Sequence, residues 1–145
     1  MHPLPPSESL LVIRTDFSDD NAWAAVRSAI GEPDEDGYHE DYDRGLQYVD
    51  DRGYRGATMP RLIELLAADH HNDLIVAADD VTIASPELPL LLADLNALNE
   101  QYGRTFRCVP SELASIEVNL SIGNMDFFEF ADSADDDGIF RGFGG

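Results

Sequence analysis

Apolar residues fall into short continuous runs along the chain, and each run predicts a strand. The clearest runs cover residues 10–13, 74–78, 88–95 and 105–109. Continuous apolar runs are typical of strands buried on both faces, as in a mainly parallel sheet between helical layers. Shorter runs at residues 46–49 and 81–84 predict two additional short strands. The pattern therefore indicates an α/β fold.

Between these runs, apolar residues recur with helical spacing. Four groups each occupy one face of a predicted helix: Trp23, Val26 and Ile30; Met59, Leu62, Ile63 and Leu66; Leu113, Ile116 and Leu120; Met125, Phe128 and Ala131. Ser18, Thr58 and Ser111 precede the first three groups and are suitable N-caps.

This order of elements predicts a single α/β domain with a sheet of four to five strands and helices packed on it. No helical pattern separates the strands predicted at 81–84, 88–95 and 105–109, so we expect a mixed, mainly parallel sheet. The domain is assigned to residues 9–132, and the proline-rich residues 1–8 predict a flexible lead-in. Residues 133–145 form an acidic and aromatic tail that either packs on the domain or serves as a docking peptide.

The composition agrees with one intracellular domain. A length of 145 residues is typical of a single domain. Cys108 is the one cysteine, which excludes an internal disulfide, and its apolar neighbours predict a buried, unreactive thiol. No stretch approaches the ~20 apolar residues of a membrane span, and the N-terminus lacks a signal sequence. We therefore expect a cytoplasmic protein that does not bind membranes.

Charge narrows the classes of partner. The chain has 29 acidic residues against nine arginines and no lysine, for a net charge of −20. Phosphates would be repelled, so nucleic acid and anionic lipid are disfavoured as direct partners. A basic protein partner, a bound cation, and solubility alone remain open as reasons for this charge.

Three aspartates follow predicted strands: Asp16, Asp50 and Asp79. In an open α/β sheet, ligands bind beyond the carboxyl ends of the strands, where these side chains are expected to meet. Clustered carboxylates suit a divalent cation such as Mg²⁺ or Mn²⁺. The alternative is that aspartate is simply a favourable strand-exit residue, and no phosphate-binding glycine motif accompanies the three.

The acidic segment 32–43 raises a second cation hypothesis. Taking Gly37 as the turn glycine of a calcium loop puts oxygen ligands at Glu32, Asp34, Asp36, Glu40 and Asp43. Pro33 and His39 depart from that pattern, and the last ligand, Asp43, is shorter than the usual glutamate. A calcium site and a solvated acidic loop both remain open.

The densest apolar stretch covers residues 105–131, and its polar residues are the exceptions to explain. Asn119 and Asp126 are not needed for the predicted helical faces. Together with Asp16 and Asp79, they form the set of candidate binding residues.

Five segments carry a family resemblance: LLVIRTDFSDDNAW at 10–23, PDEDGY at 33–38, FRCVPSE at 106–112, NLSIGNMDFFEFAD at 119–132 and DDDGIFRGF at 135–143. They resemble an uncharacterised domain family of actinobacteria, whose members carry VRTDFSDDxAW, FRVVPSE, NLSIANMDFxxFAD and DGVFRGF. The resemblance extends over residues 10–143. It implies a self-contained domain and no activity, cofactor or catalytic residue.

Three functions are compatible with these observations. Strong acidity without an enzyme motif favours a binding or regulatory module of the immunity-protein or antitoxin type, steered onto a basic partner. The alternative is a metal-dependent enzyme or small-ligand-binding domain built on the strand-end aspartates. The third is a homodimer formed through the aromatic tail.

Overall fold

One mixed sheet organises the fold. The computed structural model describes residues 1–6, 9–31, 46–67, 70, 72–96, 98 and 100–143. In this part of the chain six strands form the sheet: β1 (Leu10–Arg14), β2 (Leu46–Val49), β3 (Leu74–Ala78), β4 (Leu90–Asp94), β5 (Thr105–Cys108) and β6 (Ile139–Phe140). The predicted α/β class, single domain and mixed sheet are confirmed, with one strand more than expected.

The strand order is β2-β1-β3-β4-β5-β6. β1 pairs in parallel with β2 and β3, whereas β4 runs antiparallel to β3 and β5. β6 pairs in parallel with β5 at the sheet's edge. The carboxyl ends of β1, β2, β3 and β5 therefore lie at the same end of the sheet as the amino end of β4. We call this the upper end.

Five helices connect the strands in the described chain: α1 (Asp20–Gly31), α2 (Met59–Glu64), α3 (Asp80–Ala84), α4 (Leu113–Ser121) and α5 (Phe127–Ala131). Short 3-10 helices add Arg52–Tyr54 and Pro110–Glu112. Of the three predicted N-caps only Thr58 is confirmed, because Glu112 rather than Ser111 precedes α4 and makes no side-chain cap hydrogen bond. The Thr58 side chain accepts from the Arg61 N–H at the start of α2, and Asp19, rather than the expected Ser18, accepts from the Ala22 N–H in α1.

The two faces of the sheet are covered unequally. The helical face, which carries Leu10, Val12 and Val76, packs against a large cluster from α1, α3, α4 and α5. The open face, which carries Leu11, Ile13, Ile75, Ala77 and Leu91, packs against α2, Tyr54 and the N-terminal segment. Each fully buried Leu or Ile in these clusters contributes about 1.5–3 kcal/mol relative to an exposed one.

The N-terminal segment packs on the domain through Leu4, whereas residues 1–8 were predicted to form a flexible lead-in. Leu4 is only 2% exposed and its N–H donates to the Leu65 carbonyl at 2.8 Å. The Tyr54 hydroxyl donates to the Pro3 carbonyl at 2.9 Å. One apolar side chain between prolines thus fills a gap in the open-face core, a contact that local composition does not reveal.

Residues 81–84 were predicted as a strand, and this prediction is wrong because they belong to α3. Asp79 precedes the helix in an extended conformation and accepts from the Thr82 N–H, while the Thr82 hydroxyl accepts from the Asp79 N–H. This reciprocal cap outweighs the strand preference of the β-branched residues Val81, Thr82 and Ile83.

The chain's last aromatic residues are divided between core and surface. Phe140 is 1% exposed and sits edge-on to Phe106 and Phe130. In α5 the buried residues are Phe127, Phe130 and Ala131, whereas Phe128, predicted on the packed face with Ala131, is 47% exposed. Among the described residues, no helix is long and apolar enough to cross a membrane.

Candidate functional site

The upper end of the sheet is built around two arginines, and the first is Arg14. Its buried guanidinium donates to Asp20 at 2.6 Å, to Asp50 at 3.3 Å and to the Asp16 carbonyl at 3.1 Å. The guanidinium carbon also lies 4.4 Å from the centroid of the Phe17 ring. The hydrogen bond and charge of Arg14 lower the pKa of Asp20. This arginine thus orders the strand-to-helix turn at the end of β1.

The second arginine is Arg107, on the open face of β5. It donates to both carboxylate oxygens of Asp79, at 2.9 and 2.7 Å, and to the Pro89 carbonyl at 3.1 Å. Burial raises the pKa of Asp79, but the hydrogen bonds and charge of Arg107, together with the bonds from Thr82, outweigh it, so the pKa is lowered. Asp79 is therefore held ionised at neutral pH.

Beside this ion pair, a groove of about 720 Å³ lies on the open face of the sheet. Ala77 and Leu91 belong to its floor, and Met59 and Ile63 of α2 form one wall. Such a volume falls within the range of about 300–1,000 Å³ that is typical of ligand sites.

The upper end of the groove is acidic. Asp16, Asp79 and Asp80 all line it. Asp80 is exposed, and one oxygen of the half-buried Asp16 carboxylate accepts from the Ser18 N–H at 2.8 Å. The groove thus combines an apolar floor with carboxylates at one end, an arrangement that suits a cationic ligand with apolar parts.

The predicted metal ligands share the upper end but do not form one cluster. Asp50 contacts Arg14 and Asp79 contacts Arg107. Within the described residues, no group of three His, Cys, Asp or Glu side chains is placed to hold a metal ion. The calcium hypothesis concerns residues 32–43, which lie outside the described part of the chain.

The four candidate binding residues divide between two places. Asp16 and Asp79 line the groove, whereas Asn119 and Asp126 lie in the helical layer on the other face. The Asn119 amide donates to the Ser115 carbonyl at 2.7 Å and its side-chain oxygen accepts from Asn124. Asp126 precedes α5, and its N–H donates to Glu129. Asp126 therefore stands at the start of α5, and Asn119 bonds to groups within α4 and just beyond its C-terminal end.

The sequence analysis did not identify the apolar residues of the groove or the Arg107 side chain beside it. Leu91 belongs to a run that reads as uniformly buried, and only its pairing opposite Arg107 in β5 shows that both residues share the open face. Arg107 stands in an apolar strand, where an isolated charge signals a buried or half-buried partner. The position of Arg107 in the sequence therefore predicts a partner for its charge, but it does not show that the partner is Asp79.

The sequence of the chain matches a known family. A family model for a domain of unknown function, DUF6924, matches residues 9–143. Among curated proteins, none matches the chain. The matched range contains the whole sheet and every residue named above at the groove. The chain therefore belongs to the DUF6924 family, which is described as a domain of unknown function.

Proposed function

We propose that this domain is a small binding module that regulates or inhibits a partner protein by receiving a basic segment of it in the groove on the open face. The observation that carries the proposal is the groove itself, in which Asp16 and Asp80 stand at one end of an apolar floor, beside the ion pair of Asp79 with Arg107. Carboxylates beside apolar surface favour a partner with arginine or lysine next to apolar side chains.

The distribution of charge supports this choice of partner. Five of the nine arginines form ion pairs with the protein's own carboxylates in the described chain: Arg14, Arg61, Arg104, Arg107 and Arg141. The positive charge is thus largely neutralised locally, and the excess of acidic residues faces solvent. Such a surface accelerates encounters with a basic protein and repels phosphate-rich partners.

The proposal belongs to the class of acidic immunity proteins and antitoxins, which cover a basic surface of their target, and includes a cytoplasmic location. A metal-dependent enzyme is the other candidate from the sequence. Two of its three aspartates, Asp50 and Asp79, contact arginines. Because an arginine competes with a cation for the same oxygens, a binding role fits this geometry better.

Calorimetric titration with a synthetic peptide in which arginine alternates with glycine tests the proposal. Asp80→Asn should weaken binding about two- to fivefold, since it removes one exposed carboxylate from the groove. Asp136→Asn is the matched control, because Asp136 is exposed and does not line the groove. Raising ionic strength from about 0.1 M to about 1 M should weaken binding by the wild type strongly.

Two results would contradict the proposal. One is equal weakening by Asp80→Asn and Asp136→Asn, which would mean that the peptide senses only the net charge of −20. The other is binding that does not depend on salt, because charge complementarity would then not hold the partner.

A further inference from the structure

The geometry points to a basic amphipathic α-helix as the partner segment that fills the groove. We infer that this helix lies beside α2 and completes the helical layer of the open face. This inference rests on the proposed function and makes it more specific, because it states the conformation of the bound segment.

The first argument is the unequal coverage of the sheet. The helical face is packed against α1, α3, α4 and α5. In the described chain the open-face core draws on the six-residue α2, the turn around Tyr54 and Leu4, and includes residues of β1, β2, β3 and β4 but none of β5. A sheet of this class usually carries helices over both faces. The position over β4 and β5 is therefore where a second helix belongs.

Leu91 marks that position. It lies in β4, between two paired strands, and its neighbours Leu90 and Leu92 are 0% exposed. Leu91 itself is only half-buried, and so is Ile63 across the groove on α2. These two side chains form an apolar seam, and covering them would yield roughly 25 cal/mol for each Å² removed from water.

Backbone hydrogen bonding selects a helix over a strand. β3 is paired with β1 and β4, and β4 is paired with β3 and β5. The floor of the groove therefore offers no free strand edge to which an extended peptide can add. An extended segment would place unpaired N–H and C=O groups against apolar surface, whereas a helix satisfies its own.

The length of the strands indicates how long the partner helix can be. A five-residue strand such as β4 spans about 16 Å. A helix of about 11 residues has the same length. Its basic residues would point to the acidic upper end, where Asp80 is exposed and Asp16 is half-buried. A second copy of this chain is disfavoured as the occupant, because each copy carries a charge of −20.

NMR titration with two peptides of equal length and equal arginine content tests the inference. One peptide carries leucine, alanine and arginine with the leucines on one helical face, and the other alternates arginine with glycine. We expect the first peptide to gain helical circular dichroism on binding and to shift the amide signals of Ile63, Leu91 and Thr105. Leu91→Ala should weaken the binding of the first peptide about tenfold. The matched control is Val81→Ala, which truncates a 46% exposed side chain outside the groove.

The outcomes separate the inference from the proposed function. If the arginine–glycine peptide shifts the groove signals while the amphipathic peptide binds without gaining helix, the helical inference is wrong and the proposed function stands. If neither peptide shifts the groove signals, both are wrong. Equal weakening by Leu91→Ala and Val81→Ala would also overturn the inference, because the seam would then not contact the partner.

Discussion

Arg107 and Asp79 join two strands that are not neighbours, through two hydrogen bonds of 2.9 and 2.7 Å that cross β4 on the open face. Arg107 also donates to the Pro89 carbonyl just before β4, and Asp79 caps α3. One ion pair therefore fixes three strands and a helix at the acidic end of the groove. Both side chains are less than one-fifth exposed, so solvent screens the pair only in part.

Replacing Arg107 should destabilise the fold more than replacing an exposed arginine. Arg107→Ala leaves the half-buried Asp79 carboxylate without its bidentate donor, and we expect a loss of about 2–3 kcal/mol in the free energy of unfolding. Arg107→Lys should recover only part of it, since an ammonium cannot reproduce the paired geometry. Urea unfolding measures both.

The control for this prediction is Arg61→Ala. Arg61 pairs with Glu64 at 3.0 Å, but both side chains are well exposed. We expect a change below about 0.5 kcal/mol there. Equal losses in the free energy of unfolding from Arg61→Ala and Arg107→Ala would show that the pair of Arg107 with Asp79 stabilises the fold no more than an exposed ion pair.

The same ion pair should make stability depend on pH in the acid range. The pKa of Asp79 in the folded protein is lowered below its ordinary value of 3.8. Its contribution is therefore fully present above about pH 5 and is lost as the pH falls through the folded pKa. Asp79→Asn should remove this part of the acid sensitivity, and urea unfolding at a series of pH values measures it. An unchanged pH dependence in Asp79→Asn would contradict the prediction.

The hydrophobic pattern was sufficient to predict the elements whose apolar residues are all buried. Trp23, Val26 and Ile30 are all buried in α1, as their spacing predicts, and β1 and β3 are buried along their whole length. Here the local pattern and the tertiary environment agree. The α3 segment differs, because the reciprocal hydrogen bonds between Asp79 and Thr82 oppose the intrinsic preference of its β-branched residues.

Only part of the candidate site could be predicted from the sequence. Asp16 and Asp79 follow parallel strands, which was enough to place them at the same end of the sheet. Their separate roles depend on Arg107, which reaches Asp79 from a strand 28 positions away in sequence. The exposure of Leu91 depends on which strand segments the helices cover, and no periodicity within β4 encodes that.

The segment that carries the family resemblance at residues 10–23 has a structural explanation. Arg14 binds Asp20 and packs near Phe17 and Trp23. The Asp16 carboxylate accepts from the Ser18 N–H. A distinctive sequence can therefore encode a strand-to-helix turn, and its distinctiveness alone does not identify a catalytic site.

The N-terminal segment should contribute to stability. Leu4→Ala removes a side chain that is 2% exposed, and we expect a loss of about 2–3 kcal/mol. Leu98→Ala is the matched control, because Leu98 is 94% exposed and should change stability by less than about 0.5 kcal/mol. Thermal melts of the two variants measure the difference. Equal melting temperatures would support the flexible lead-in predicted from composition.

The C-terminal tail provides a test between core packing and docking. Phe140 is 1% exposed and packs on Phe106 and Phe130, so Phe140→Ala should cost about 3–5 kcal/mol. Phe128→Ala, at a side chain that is 47% exposed, is the matched control and should cost much less. If the tail instead mediates a homodimer, Phe140→Ala will lower the mass measured by light scattering and leave the melting temperature of the monomer unchanged. We expect the opposite, a lower melting temperature with an unchanged mass, because a ring already enclosed by the domain's own core has no surface to offer a second chain.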